Sequence, residues 1–132
     1  MHLYLGIDFG TTGVRTSVIN EKKEELINYS VSIESPISKG SLVYQNPNLW
    51  WEALLKNFHY LKLKINLEDI KRLSIDGTSG TVLITNEVGD PIDHALMYND
   101  ASSVKEAEYT EVISSGHPIV SSPTNALVRA LA

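Results

Sequence analysis

The segment Leu3-Tyr4-Leu5-Gly6-Ile7-Asp8-Phe9-Gly10-Thr11-Thr12-Gly13-Val14-Arg15 decides how the rest of the chain is read. An apolar run ends in one acid, a Gly/Thr turn follows, and a second apolar run continues through Val14, Val18 and Ile19. That order suits phosphate chemistry. Glycines let the backbone approach a polyphosphate, and the turn's N–H groups and Thr hydroxyls can donate to its oxygens. Asp8, at the strand's exit, can hold Mg²⁺ or a metal-bound water, because hard cations take oxygen ligands. The segment is no Walker A loop, since no Gly-Lys-Ser/Thr follows, and it lacks the dinucleotide G-x-G-x-x-G spacing. A plain β-hairpin closed by a Gly/Thr turn is the alternative reading of these residues alone.

The remaining sequence sets bounds on that reading. Its 132 residues are enough for one compact domain, and 42% apolar content argues against disorder. Net charge is −5 and the lysines fall in short separated pairs such as Lys22-Lys23 and Lys71-Arg72, so no basic nucleic-acid face is expected. No stretch has the length of a membrane span and no signal peptide is evident. Cysteine is absent, which excludes disulfides and thiolate metal sites and fits a cytoplasmic protein. His2, His59, His94 and His117 are dispersed without metal-ligand spacing.

Leu3–Asp8, Val14–Asn20 and Glu25–Ile33 read as an antiparallel meander of strands. Ser35–Asn46 reads as a loop. Asn46 as N-cap and Pro47 as first helical residue open a helix whose apolar positions are Trp50, Trp51, Leu54, Leu55, Phe58 and Leu61. Ile70–Asp76 reads as a strand, and a crossover through that helix would set it parallel to the first. Thr81–Asn86 reads as another strand, with a turn at Gly89-Asp90-Pro91 and a short apolar segment at Ala95–Tyr98. A helix over about 102–115 follows, with Ser103 and Glu106 spaced as a capping box. Ser122-Pro123 opens a last helix that ends at Leu131-Ala132 with no stop signal, so the chain is expected to be the N-terminal piece of something longer. The pattern predicts α/β or α+β.

Gly6-Ile7-Asp8-Phe9-Gly10-Thr11-Thr12 resembles the first phosphate loop of the actin-like ATPase superfamily, which includes the FGGY carbohydrate kinases and the heat-shock chaperones. Two further segments are similar to the kinase branch. One is Asp76-Gly77-Thr78-Ser79-Gly80, with a second strand, Gly89-Asp90-Pro91 and Tyr98-Asn99-Asp100 after it. The other is Gln45-Asn46-Pro47-Asn48-Leu49-Trp50-Trp51, which looks like the Gln-Asp-Pro-x-x-Trp opening of the family's first long helix. The heat-shock relatives share only the first motif. The resemblance implies an α/β, ribonuclease H-like (actin-like ATPase) half-domain over residues 1–132: an antiparallel strand meander plus a parallel strand, with packed helices.

It also implies ATP and Mg²⁺ as cofactors and transfer of the γ-phosphoryl to a sugar hydroxyl, of D-ribulose or D-xylulose type. Asp8 matches the Mg²⁺-associated acid. Gly10, Thr11 and Thr12 match the loop facing the ATP phosphates, and Arg15 an arginine near them. A guanidinium can spread positive charge over phosphoryl oxygens; the other reading of Arg15 is a solvated strand residue. Asp76, Gly77, Thr78, Ser79 and Gly80 match the sugar loop, whose hydroxyls suit a polyol; the other reading is a tight turn. Xylulokinases usually carry Gly-Gln-Met-His-Gly there, so this variant looks more like the ribulokinase-type branches. Tyr98 and Asp100 match the aromatic and acid of Trp/Tyr-x-Asp-x-Arg, although Asp before a helix is equally a cap. The arginine of that motif is replaced by Ser102. In the family the catalytic base and adenine pocket lie on later segments. This chain alone is therefore expected to be inactive, and its partners would be a small sugar or polyol, the rest of a kinase chain and, in a homo-oligomer, further copies. A chaperone-type ATPase domain and a non-catalytic sugar-binding module remain the alternatives.

Overall fold

The computed structural model describes residues 2–113. The expected turn at Gly116 and the helix after Ser122-Pro123 lie outside them. The chain forms two compact units. One contains the described residues up to Ser35 together with Asn48–Thr78; the other contains Pro36–Pro47 and the described residues from Ser79 onward.

The first unit is built on strands Leu3–Gly10 (β1), Gly13–Asn20 (β2), Glu25–Ser32 (β3) and Ile70–Gly77 (β6), in sheet order β3-β2-β1-β6. β1 pairs antiparallel with β2, from Leu3↔Asn20 to Gly10↔Gly13, and β2 pairs antiparallel with β3. β6 runs parallel to β1, with Leu5↔Leu73 and Asp8↔Asp76. The expected meander and parallel fourth strand are both present. Side chains alternate along a strand, so Leu3, Leu5 and Ile7 of β1 share a face with Val14 and Val18 of β2. These five form the buried core with Ala53 and Leu61 of the helix Asn48–Lys62 (α1). Fully burying each large aliphatic contributes about 1.5–3 kcal/mol.

α1 begins at Asn48, slightly after the expected Pro47, and carries Lys62 in its last turn, where a cation complements the helix dipole. Its inward face differs from the expected one. Ala53, Asn57 and Leu61 are fully buried, whereas Trp51 and Leu55 are 61% and 51% exposed. The buried polar Asn57 is satisfied. It accepts from Thr16 Oγ1 at 2.9 Å and donates to Val14 O at 3.1 Å and Ala53 O at 2.8 Å. After α1 a 3₁₀ turn, Leu67–Asp69, is capped by the Asn66 side chain and leads into β6.

The second unit corrects two local expectations. Residues 35–46 are not simply a loop: Ile37–Lys39 (β4) and Leu42–Gln45 (β5) form a hairpin. Gly40, at φ 62°, opens its two-residue Gly-Ser connection, the φ pattern of a type II′ turn. Thr81–Asn86 forms no regular strand. It makes isolated bridges at Val82↔Leu96 and Thr85↔Pro91. Pro91 has no N–H to donate, so a continuous ladder fails there. β5 also pairs with Ala95–Leu96 (β7). The helix Val104–Ile113 (α2) starts later than expected. Ser103 starts it through its carbonyl, which accepts from Ala107 N–H at 3.1 Å. The Ser103 hydroxyl is buried with no hydrogen-bond partner among the described residues, so it does not act in the expected capping box.

Candidate functional site

Within the first unit the phosphate-type motif sits at the ends of β1 and β6. Asp8 stands between two register partners, Arg15 on β2 and Asp76 on β6. Partners share a face, so the row Arg15–Asp8–Asp76 crosses three strands on the side of the sheet away from α1. Arg15 Nη1 donates to Asp8 Oδ2 at 3.4 Å, and the two side chains are 60% and 47% exposed. A pair this open contributes little to stability. Its groups remain accessible for ligand contacts.

The turn past Asp8 is tight. Thr11 and Thr12 alone separate the partners Gly10 and Gly13. Among the described residues only Lys23 is a non-glycine with positive φ, so neither threonine adopts the left-handed conformation that primed hairpin turns require. Gly13 is required for space: a Cβ there would lie 2.7 Å from Val31 O. Contacts from outside fix the turn. Ile33 N–H donates to Thr12 O at 3.0 Å and the Trp50 indole N–H to Gly10 O at 3.0 Å. Thr78 N–H donates to Phe9 O at 3.2 Å, and the Thr11 and Thr78 hydroxyl oxygens are 3.5 Å apart. Asp76 Oδ1 accepts from Gly77 N–H at 2.8 Å. Asp8, Gly10, Thr11, Thr12, Arg15, Asp76, Gly77 and Thr78 thus gather at one end of this sheet.

The donor chemistry of this end fits Mg²⁺ and a polyphosphate. Asp8 and Asp76 offer oxygen ligands. Mg²⁺ commonly takes one or two carboxylates and completes its shell with water and phosphate oxygens. No group of three or more metal-ligating side chains occurs among the described residues, so a cage made wholly of protein ligands is not what those residues offer.

Ser79, Gly80, Tyr98 and Asp100 belong to the second unit. Gly80 has φ 82°, a conformation that favours glycine, and Tyr98 is 50% exposed. Asp100 is fully buried. Its carboxylate accepts from Val43 N–H at 2.7 Å, Ser102 N–H at 3.1 Å and Ser102 Oγ at 2.9 Å. That arrangement anchors the chain ahead of α2 to β5. In the same unit the backbone N–H of His94, and then its ring, hold the exposed Asp93 carboxyl below the usual carboxylate range.

Sequence reasoning read Trp50 as packing and passed over Asn57. Both bond to the backbone of the β1–β2 hairpin. A polar residue on the apolar face of α1 was the available signal for Asn57.

A model of the FGGY family of carbohydrate kinases, N-terminal domain, matches residues 3–123. The chain belongs to the FGGY family. Xylulose kinase of Staphylococcus xylosus is 29% identical over 82% of the chain. The ligand-bound crystal structure of xylulose kinase from Lactobacillus acidophilus superposes with a TM-score of 0.81 at 14% identity, covering 99% of this chain and 28% of that one. Gluconate kinase from the same organism gives 0.71 at 15% identity, covering 86% and 24%. These likenesses bear out the α/β, actin-like fold, and family membership decides against the chaperone-type reading. The chain spans 22% of the length of the Staphylococcus relative. No described helix is long and apolar enough to cross a membrane.

Proposed function

We propose that this FGGY domain supplies the phosphate-facing part of an ATP-dependent sugar kinase acting on a ketopentose of the D-ribulose or D-xylulose type. The observation that carries the reading is the row Arg15–Asp8–Asp76 beside the tethered Thr11-Thr12 turn, in a chain of this family. Xylulose kinases among its relatives support the ketopentose. A gluconate kinase among its structural neighbours keeps the acceptor class open to test. The cysteine-free composition supports a cytoplasmic setting.

In this reading the Thr11-Thr12 turn presents backbone N–H groups and hydroxyls to the β- and γ-phosphates. Asp8, with Asp76 beside it, would hold Mg²⁺, which would supply positive charge to the transferring phosphoryl group. Arg15 orients Asp8 in the resting site and offers its guanidinium to phosphoryl oxygens. Thr78, Ser79, Gly80 and Tyr98 contribute sugar contacts, the hydroxyls by hydrogen bonding and the ring by packing on the apolar face. Asp100 holds its loop in place through its bonds to Val43 and Ser102. A proton acceptor for the attacking hydroxyl and the adenine pocket come from sequence beyond this chain.

The test is a coupled ADP-release assay on a kinase chain containing this segment, across ketopentoses, gluconate and glycerol. Ketopentose-dependent turnover is expected. Asp8→Asn should lower kcat by at least about a hundredfold with sugar affinity retained, since it acts only on the phosphoryl side. Undiminished turnover in Asp8→Asn removes its metal role. Sugar binding with no turnover in the wild-type kinase would leave a non-catalytic module. The 132-residue chain alone is expected to be inactive.

A further inference from the structure

The β1–β2 turn has a conformation that two-residue hairpin connections do not favour. Two-residue hairpin loops normally use primed turns with positive φ, because these match the strand twist; unprimed turns splay the strands. Thr11 and Thr12 have no positive φ, yet Gly10 and Gly13 stay paired across them. The restraint comes from neighbouring elements. Trp50, in the first turn of α1, reaches the last carbonyl of β1 with its indole N–H, at 3.0 Å. One helical stretch further on, Asn57 bonds to Val14 O, the first core residue after the turn. α1 thus grips the hairpin on both sides of Thr11-Thr12.

We infer that Trp50 is a positioning residue for the phosphate turn: its N–H fixes the Gly10 carbonyl and so sets the direction in which Thr11 and Thr12 present their N–H groups and hydroxyls. Its role as more than a packed ring is the new element. The phosphate part of the inference rests on the function proposed above; the turn geometry does not. Trp51, the adjacent residue, is 61% exposed and serves as the internal control.

Two amides report on the turn from outside it: Ile33 N–H, bonded to Thr12 O, and Thr78 N–H, bonded to Phe9 O. The experiment compares Trp50→Phe and Trp51→Phe by amide hydrogen exchange and by ³¹P-monitored titration with magnesium tripolyphosphate. A third sample carries β-(3-benzothienyl)alanine at position 50 in a Trp51→Phe background, keeping the bicyclic ring and removing only the N–H. In Trp50→Phe and the benzothienyl sample, Ile33 and Thr78 should exchange about two- to tenfold faster than before, with core amides such as Val18 unchanged; tripolyphosphate affinity should fall by a similar factor. Trp51→Phe should change neither. Uniformly faster exchange in Trp50→Phe with no effect of the benzothienyl residue would make Trp50 a packing residue and overturn the inference. Unchanged exchange would overturn it too. Faster Ile33 and Thr78 exchange, with tripolyphosphate binding absent from the wild type as well, would uphold the positioning and refute the phosphate reading.

Discussion

The Thr16–Asn57 pair offers a quantitative check on how α1 is held to the sheet. Both side chains are fully buried, and the Thr16 hydroxyl donates to Asn57 Oδ1 at 2.9 Å. Asn57→Leu removes the acceptor while roughly keeping volume. Thr16 then has only Tyr29 O, at 3.4 Å, to turn to, and Val14 O loses a partner. A buried polar group left in this state costs about 1–3 kcal/mol. Thr16→Val removes the donor and leaves Asn57 Oδ1 without its hydroxyl partner, at a similar cost of about 1–3 kcal/mol. In the double variant neither the Thr16 hydroxyl nor Asn57 Oδ1 is left over, and the loss, from Val14 O and the missing bonds, should be about 1–2 kcal/mol, well below the sum of the singles. The coupling is then about 2 kcal/mol. With a urea m-value of about 2 kcal/mol per molar, it appears as a midpoint roughly 1 M higher than additivity gives. Urea unfolding followed by circular dichroism on the four proteins measures it. Additive midpoints would show that the two groups do not depend on each other and would refute the view of Asn57 as a satisfied buried bridge.

Two further outcomes follow from local geometry. Gly13→Ala drives a Cβ to within 2.7 Å of Val31 O, a backbone atom, so β2 and β3 must separate; a loss of about 1–3 kcal/mol is expected in urea unfolding, and a wild-type midpoint would contradict the close approach. Asp100→Ala strips a charged acceptor from Val43 N–H and Ser102. It should lower stability by about 2–4 kcal/mol and raise exchange at the Val43 amide, whereas an unaltered Val43 amide would remove its anchoring role.

Periodicity alone carried much of this molecule. The period-two patterns of Leu3–Gly10, Gly13–Asn20 and Glu25–Ser32 and the Gly/Thr turn between the first two strands were legible because alternation and turn chemistry are local properties. The same residues, Gly6 through Thr12, pointed to phosphate chemistry through the resemblance they carry. The hairpin at β4–β5 was also locally encoded, in Gly40-Ser41, but two short strands in a Ser- and Pro-rich stretch gave a weak signal.

Tertiary structure decided what no local pattern contains. Which side of α1 faces the sheet depends on how the helix is rotated against β1 and β2; that rotation buries Asn57 and exposes Trp51, against hydrophobicity alone. The register between β1 and β6, strands distant in sequence, is what places Asp76 beside Asp8. The conformation of Thr11-Thr12 depends on hydrogen bonds from Trp50 and Ile33, groups that folding alone brings to the turn. Strand and turn preferences act over a few residues and can be read along the chain. Register, helix rotation and tethering arise from contacts between distant residues, so they exist only once the elements have packed.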